Sequence, residues 1–341
     1  MPDTHHPHTL ILAAALRGAR LQLRAFRKSG VTKLFDTASR HGISQLIYQK
    51  VLDQQIQGLA AEEKAQLTKF TNIGVVRDML LNDSTQKTVG LLAENHIPAL
   101  LLKGTAIACK YYDETYLRTR CDTDILIREQ DKQVIRDLLT ANGYAISGFD
   151  SRKYASKQFA AFLNPDSAIG TTFDIHWKLS NRTLFHNALQ FDECWEDRQP
   201  VKQLGKDAYT LSAVHLLIHA CIHRIAHGRN SERNRLLWLY DIHLISSNFS
   251  NSELDSLLKT AKAKGIGTLC ADGLIMSQYY FGTHYPQGYL TELMSQKSEE
   301  TTAKLIDASR FRWAFADIHA LKGAGAKLGL IRELLLPARL T

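Results

Sequence analysis

The chain has 341 residues, of which 45% are hydrophobic and 22% are charged, a composition typical of a soluble globular protein with two or three structural units. Its net charge of +8 either indicates an anionic partner, such as a nucleotide or nucleic acid, or serves only solubility. No apolar run reaches the roughly 18 residues of a membrane span. Five scattered cysteines without a CxxC pair argue against a disulfide framework or zinc ribbon and favour a reducing, cytoplasmic location.

The hydrophobic pattern divides the chain into three parts. Residues 1–92 and 205–341 carry apolar residues mainly at helical spacing, whereas residues 93–204 mix short apolar runs with helical segments. Strands mixed with helices in the middle part predict an α/β or α+β sheet domain between two helical regions.

The N-terminal part begins with apolar residues that recur at helical spacing from Leu12 to Phe26. The short apolar stretch at 10–16 lacks the cationic start of a signal peptide, so we interpret it as the beginning of this helix. Four arginines form a neighbouring stripe predicted on the same helix: Arg17, Arg20, Arg24 and Arg27. The stripe is either a phosphate-binding face or, as we favour, the solvated flank of an amphipathic helix. Further helices are predicted at 43–52 and 60–94.

The remaining elements follow in chain order. The middle part is predicted to contain strands and helices as follows: strand 98–102, helix 104–112, strand 122–127, helix 131–142, and strands 144–149, 158–163 and 171–177. The C-terminal part is predicted to contain helices at 211–226, 235–246, 253–264 and 269–280, and helical structure after residue 300.

The predicted strand at 122–127 carries two acidic side chains on one face. Side chains alternate along a strand, so Asp122 and Asp124 point one way while Ile125 and Ile127 point the other. Two neighbouring carboxylates repel each other, and a hard divalent cation such as Mg²⁺ or Mn²⁺ removes that conflict. The alternative is a solvated strand end with two exposed acids, because a lone DxD is common.

A third carboxylate, Asp174, lies in the predicted strand at 171–177, and His176 falls on the same face of that strand. If the two acidic strands pair side by side, three carboxylates converge, enough to hold two metal ions about 4 Å apart for phosphoryl transfer. The alternative for Asp174 is a hydrogen-bond acceptor at a strand end, and for His176 it is packing at a sheet edge.

Lys103, Gly104 and Thr105 form a predicted turn from a strand into a helix. Glycine lets a phosphate approach the backbone, and a helix N-terminus offers free N–H groups. The lysine adds a cation and the threonine a hydroxyl. We therefore predict a nucleotide phosphate site, although the motif of a P-loop is absent.

In combination, these motifs resemble the uncharacterised nucleotidyltransferase family of the DNA polymerase β superfamily. The resemblance covers residues 90–245 and rests on these segments: Lys103-Gly104, Arg118, Asp122–Ile127, Asp174–Trp177, His223–His227 and Arg235–Asp241. It implies an α+β fold with a small mixed sheet flanked by helical regions. It also implies that Asp122, Asp124 and Asp174 bind metal.

The same resemblance implies roles in nucleotide or acceptor binding for Arg118, His176, His223 and His227. Arg118 precedes the acidic strand, where a guanidinium can bind a triphosphate through two hydrogen bonds. Pairing with Asp113 or Glu114 is the structural alternative. Asp241 is predicted to pair with a nearby arginine.

Four histidines recur at every fourth residue of one predicted helix: His215, His219, His223 and His227. Such spacing permits a transition-metal site. No HExxH motif or clustered cysteine completes a zinc shell, so we favour histidines that pack in the core or line a cleft.

Two functions follow from these motifs. The first is a metal-dependent nucleotidyltransferase that moves a nucleoside monophosphate from an NTP such as ATP to an acceptor hydroxyl or phosphate and releases pyrophosphate. The acceptor is left open among small molecules, RNA and protein, as are the NTP base and the oligomeric state, and no membrane partner is predicted. The alternative is a non-catalytic nucleic-acid- or protein-binding module that keeps a vestigial core.

Overall fold

The computed structural model describes residues 7–26, 28–148, 154–163, 170–227 and 232–336. Its helices are α1 (Pro7–Leu16), α2 (Lys28–Arg40), α3 (Ser44–Leu52), α4 (Ala61–Glu94), α5 (Lys103–Tyr111), α6 (Lys132–Ala141), α7 (Phe191–Glu196), α8 (Ala213–His227), α9 (Leu236–Ser247), α10 (Asn251–Ala263), α11 (Gly267–Phe281), α12 (Tyr289–Leu293), α13 (Arg310–Ala320) and α14 (Ala324–Leu335). Its strands are β1 (Leu21–Gln22), β2 (Ile56–Gln57), β3 (Ala99–Leu101), β4 (Asp122–Ile127), β5 (Tyr144–Ser147), β6 (Gln158–Leu163), β7 (Thr171–His176), β8 (Gln199–Pro200) and β9 (Tyr209–Thr210).

A seven-stranded mixed sheet, in the order β5-β6-β7-β4-β3-β9-β8, organises the fold. Strand β4 lies parallel to β7 on one side and antiparallel to β3 on the other. Helical regions precede and follow the sheet, which confirms the predicted α+β class with a mixed sheet. The sheet takes β9 from beyond residue 204, where Thr210 pairs with Leu101. A two-residue strand is too short to produce a periodic pattern in the sequence.

Helix α4 packs against the back face of the sheet, defined as the face that carries Thr123, Ile125 and Ile175. The Thr85 hydroxyl on α4 lies 2.9 Å from the Thr123 hydroxyl, and Ile125 and Ile175 are fully buried. Alternation sends Asp122, Asp124 and Asp174 to the opposite face, which we call the front face. The back face therefore anchors the strands, while the front face is left for polar groups.

The C-terminal helices cover the region beside this front face. Helices α8 and α9 pack against each other and against α5. The interior of α8 is fully buried at Leu216, Ile218 and Ile222. Across the ranges that the structure describes, every helix is too short or too polar to cross a lipid bilayer.

The predicted arginine stripe on the first helix is wrong. Helix α1 ends at Leu16, and Gly18 follows in a left-handed conformation with φ +98°, which a helix cannot continue. The Arg17 side chain donates instead to the carbonyl of Tyr280 at 3.0 Å. Arg24 lies in a separate 3₁₀ turn, and Arg27 lies outside the described residues.

Candidate active site

Two neighbouring parallel strands bring acidic side chains together on the front face. In the β4–β7 register, Asp122 lies opposite Thr172, Asp124 opposite Asp174, and Leu126 opposite His176. Potential ligand atoms of Asp124, Asp174 and His176 all lie within 4.8 Å of one another. Asp122 lies on the same face, two residues earlier in β4, and stands outside this closest group among the described residues.

Asp124 lies at the centre of the site and is only 6% exposed. Its Oδ1 atom accepts hydrogen bonds from Lys103 Nζ at 2.5 Å and from His176 Nε2 at 2.8 Å. Burial alone would raise the pKa of Asp124, but the Lys103 ammonium and the His176 hydrogen bond hold it well below its usual range. Asp124 is therefore ionised at neutral pH.

The other two carboxylates are less well compensated. Burial, followed by repulsion from Asp124 and Asp174, raises the pKa of Asp122 to about 6. Burial and the Asp124 charge also raise the pKa of Asp174, against the opposing effect of His176. The acids thus carry more negative charge than Lys103 alone neutralises. Carboxylate oxygens with an imidazole nitrogen are a donor set that fits a divalent cation.

Gln158 positions Asp174, and sequence reasoning missed it. Its Nε2 donates to Asp174 Oδ2 at 2.8 Å, and its Oε1 accepts from Asn181 Nδ2 at 2.9 Å. Asn181 in turn accepts a hydrogen bond from the backbone N–H of Lys157 at 2.7 Å. Gln158 is the first residue of a correctly predicted strand, but its role depends on β6 pairing with β7, which the sequence pattern does not fix.

The Lys103-Gly104 turn has two geometric features that the sequence pattern did not reveal. Lys103 begins α5 with φ +42°, a left-handed conformation uncommon for a side chain with a Cβ, and its ammonium reaches Asp124. A Cβ added at Gly104 would lie 2.9 Å from Arg118 Nη1. The guanidinium thus lies against the backbone at Gly104, and any larger residue there requires Arg118 to shift.

Arg118 is buried and bound by Asp241 of α9. Its Nη2 donates to Asp241 Oδ2 at 2.7 Å and its Nε to Asp241 Oδ1 at 3.2 Å, while Tyr112 Oη donates to the same carboxylate at 2.8 Å. The predicted pairing of Asp241 with an arginine is confirmed. A two-point contact between Arg118 and a triphosphate would require the guanidinium to leave Asp241.

Thr105 does not bring its hydroxyl to the carboxylates. The side chain is 1% exposed, and its Oγ1 lies 3.2 Å from the hydroxyl of Thr123, which belongs to the back face. Only the Lys103 side chain of this turn reaches the acidic cluster in the described structure.

Three of the α8 histidines, His219, His223 and His227, lie near Lys103 and Asp124. The His223 and His227 rings stack with centroids 4.6 Å apart, and the Trp238 and His223 rings are nearly perpendicular with centroids 4.9 Å apart. Desolvation by the surrounding protein, together with the Lys103 charge, lowers the pKa of His227 to about 4, so this ring is neutral at pH 7.

Deeper in α8, His219 Nε2 donates to the Leu179 carbonyl at 3.2 Å. Burial lowers the pKa of His219 to about 3. A cavity of about 20 Å³, large enough for one water molecule, is lined by residues of α8 and α9 together with Lys103 and Arg118. Among the described residues, the α8 histidines lie outside the group of potential metal ligands, as expected for cleft and core residues.

Comparison with known families supports a nucleotidyltransferase family assignment. A family model described as an uncharacterised nucleotidyltransferase matches residues 27–282, most of the chain. The matched region contains the whole sheet and helices α8 and α9. No curated protein matches the chain.

The contact between Gly104 and Arg118 predicts a specific loss of stability. Gly104→Ala requires the buried Arg118 guanidinium to shift, which strains its pairing with Asp241, and we expect the free energy of unfolding to fall by about 1–3 kcal/mol. Gly90→Ala, in α4, is the matched control, because an added Cβ there meets no atom within 4 Å. It should raise stability by about 0.5–1 kcal/mol. Urea unfolding of the wild type and the two variants measures these changes. An equal change in the free energy of unfolding for both variants would contradict the prediction.

The raised pKa of Asp122 predicts a pH dependence in metal-free protein. Between about pH 4 and 6 the folded state retains a proton on Asp122 that the unfolded state has released, so stability is lost as the pH rises. Asp122→Asn removes this loss, and its stability relative to the wild type should grow by at most about 3 kcal/mol across that window. Urea unfolding in EDTA measures the difference. If the free energy of unfolding of Asp122→Asn differs from that of the wild type by a constant amount across this pH range, the expectation is refuted. Asp255→Asn, at an exposed position on α10, is the control.

Proposed function

The chain belongs to the uncharacterised nucleotidyltransferase family, and on that premise we propose that it transfers a nucleoside monophosphate from an NTP to an acceptor hydroxyl or phosphate, with release of pyrophosphate. The observation that carries this proposal is the convergence of Asp124, Asp174 and His176 on neighbouring parallel strands. A binding module would have no need for buried, mutually repelling carboxylates, which cost stability when they are not paired.

Asp122, Asp124 and Asp174 are the residues that would hold Mg²⁺ or Mn²⁺, with His176 as a further potential ligand. A divalent cation bound there supplies charge neutralisation for the triphosphate and lowers the pKa of an acceptor hydroxyl. Three carboxylates match the number that a two-ion site requires. Asp124, which is ionised and faces both Lys103 and Asp174, is the central member of the set.

Lys103 is the residue best placed to bind a phosphate. Its ammonium contacts Asp124 and is carried on a flexible side chain at the start of α5. The ammonium therefore neutralises Asp124 before substrate binds and lies close to any anion that approaches the cluster. Charge neutralisation and positioning supply most of the catalysis in phosphoryl transfer, so one mobile cation beside three acids is an effective arrangement.

Asp174 is our candidate for the group that accepts a proton from the acceptor hydroxyl. Gln158 fixes one carboxylate oxygen, and the raised pKa of Asp174 makes it a better base than an exposed aspartate. The stacked pair His223 and His227 faces the same region with an unprotonated ring at His227, and we propose that this pair forms one wall of the nucleotide cleft.

The proposal predicts nucleotide binding that depends on metal and on Asp124. Calorimetric titration with each NTP should give saturable binding in the presence of Mg²⁺ or Mn²⁺ and a much weaker signal in EDTA. Asp124→Asn should abolish the metal-dependent part, whereas Asp255→Asn should leave it unchanged. Salt-sensitive binding to nucleic acid without NTP affinity would instead support the non-catalytic module.

The transfer reaction itself is tested with NTPs labelled at the α-phosphate and a panel of small-molecule, RNA and protein acceptors. Asp124→Asn should lower metal-dependent pyrophosphate release by a factor on the order of 10²–10³ or more, because it removes charge where the reacting phosphates bind. Circular dichroism verifies that the variant is folded. Unchanged release in a folded Asp124→Asn protein would rule out the mechanism.

A further inference from the structure

A large groove runs along the N-terminal half of α4, away from the α8 histidines. Its volume is about 760 Å³, within the range of small-molecule binding sites. Side chains of α4 between Ala65 and Leu81 form one wall, and Cys121, Gly170 and Thr171 close the end.

The groove wall is apolar where a helix surface would normally be polar. Ile73 and Val76 are 59% and 56% exposed, and both line the groove. Apolar side chains grouped in this way on a concave surface typically mark a ligand or partner site. An occupant of this groove would therefore meet an apolar wall.

The charged groups of the lining are all cationic in the part of the chain that the structure describes. Lys69 and Arg77 line the groove, and no acidic side chain joins them. Arg77 precedes Asp78, whose carboxylate binds Arg120 next to the start of β4. This places Arg77 near the closed end of the groove, while Lys69 lies about 12 Å further along the helix.

Thr171 provides an unused hydrogen-bonding group at the same end. It is only 8% exposed, and its hydroxyl has no partner among the described residues. A buried hydroxyl without a partner costs free energy that a ligand oxygen can recover. The closed end of the groove therefore combines a cation with a free hydroxyl.

The groove ends beside the acidic cluster. Cys121 and Thr171 immediately precede Asp122 and Thr172, which are paired across β4 and β7. A strand rises about 3.3 Å per residue, so about 10 Å of backbone separates Cys121 from Asp124. The groove thus lies at the end of the two strands that carry the carboxylates.

We propose that this groove binds the acceptor, and that the acceptor is an amphipathic molecule with an alkyl-like or isoprenoid-like chain and a phosphate group. The inference rests on the proposed nucleotidyl transfer. The chain packs against Ile73 and Val76. The phosphate is held by Arg77 and the Thr171 hydroxyl, at the end of the strands that carry the carboxylates.

Calorimetric titration of the full chain with octyl phosphate, below its micellar concentration, tests the proposal. Saturable binding is expected, and Val76→Asp should weaken it at least about tenfold. Val134→Asp is the matched control, because Val134 is 58% exposed on α6, far along the chain from the groove, and it should change affinity by less than about twofold. Arg77→Gln should weaken octyl phosphate about tenfold and leave 1-octanol binding within about twofold.

Three outcomes would overturn the proposal. The first is that octyl phosphate does not bind saturably. The second is that Val76→Asp and Val134→Asp weaken the affinity for octyl phosphate equally. The third is that the wild-type protein sediments as a dimer, which Val76→Asp converts to a monomer. The last result would mean that a second copy of the chain covers the groove. Asp124→Asn distinguishes this proposal from the proposed nucleotidyl transfer. The variant should still bind octyl phosphate even where it no longer binds nucleotide.

Discussion

Parallel pairing of β4 with β7 is the constraint on which the candidate site depends. The register sets Asp124 opposite Asp174 and leaves Asp122 on the same face, so three carboxylates share one surface of the sheet. Repulsion within this group is offset by Lys103 and His176 at Asp124, whereas burial, together with the remaining repulsion, raises the pKa values of Asp122 and Asp174. The back face stabilises the arrangement through buried Ile125 and Ile175. The fold thus holds together charges that would separate in a flexible chain.

The sequence predicted the acidic strands well because strand alternation is a local property. Asp122, Asp124 and Asp174 fall on one face by counting residues, and β4 and β6 have the predicted bounds. The presence of a sheet between helical regions also follows from local pattern. Order and register of the strands do not, because they depend on contacts between residues far apart in the chain. For this reason the roles of Gln158 and β9 emerged only from the structure.

The motif around Gly104 shows a second reason why the sequence alone did not predict the whole site. A glycine before a helix is compatible with phosphate binding, with a tight turn, and with close approach of another side chain. The structure shows the last of these, because Arg118 lies against Gly104, and phosphate binding at this turn stays a prediction. Similarly, Thr105 has the residue type expected of a phosphate site, but its hydroxyl faces Thr123 in the interior. Residue type suggests the chemistry, and only the direction of the side chain decides whether the chemistry is available.

The Arg118–Asp241 pair has a mechanical consequence. Asp241 belongs to α9 and Arg118 to the segment before β4, so this buried pair joins the C-terminal helices to the turn that carries Lys103. Because Arg118 lies against Gly104, the start of α5 and its Lys103 depend on where α9 holds the guanidinium. A change at the α9 end of this pair would therefore act on the lysine that neutralises Asp124.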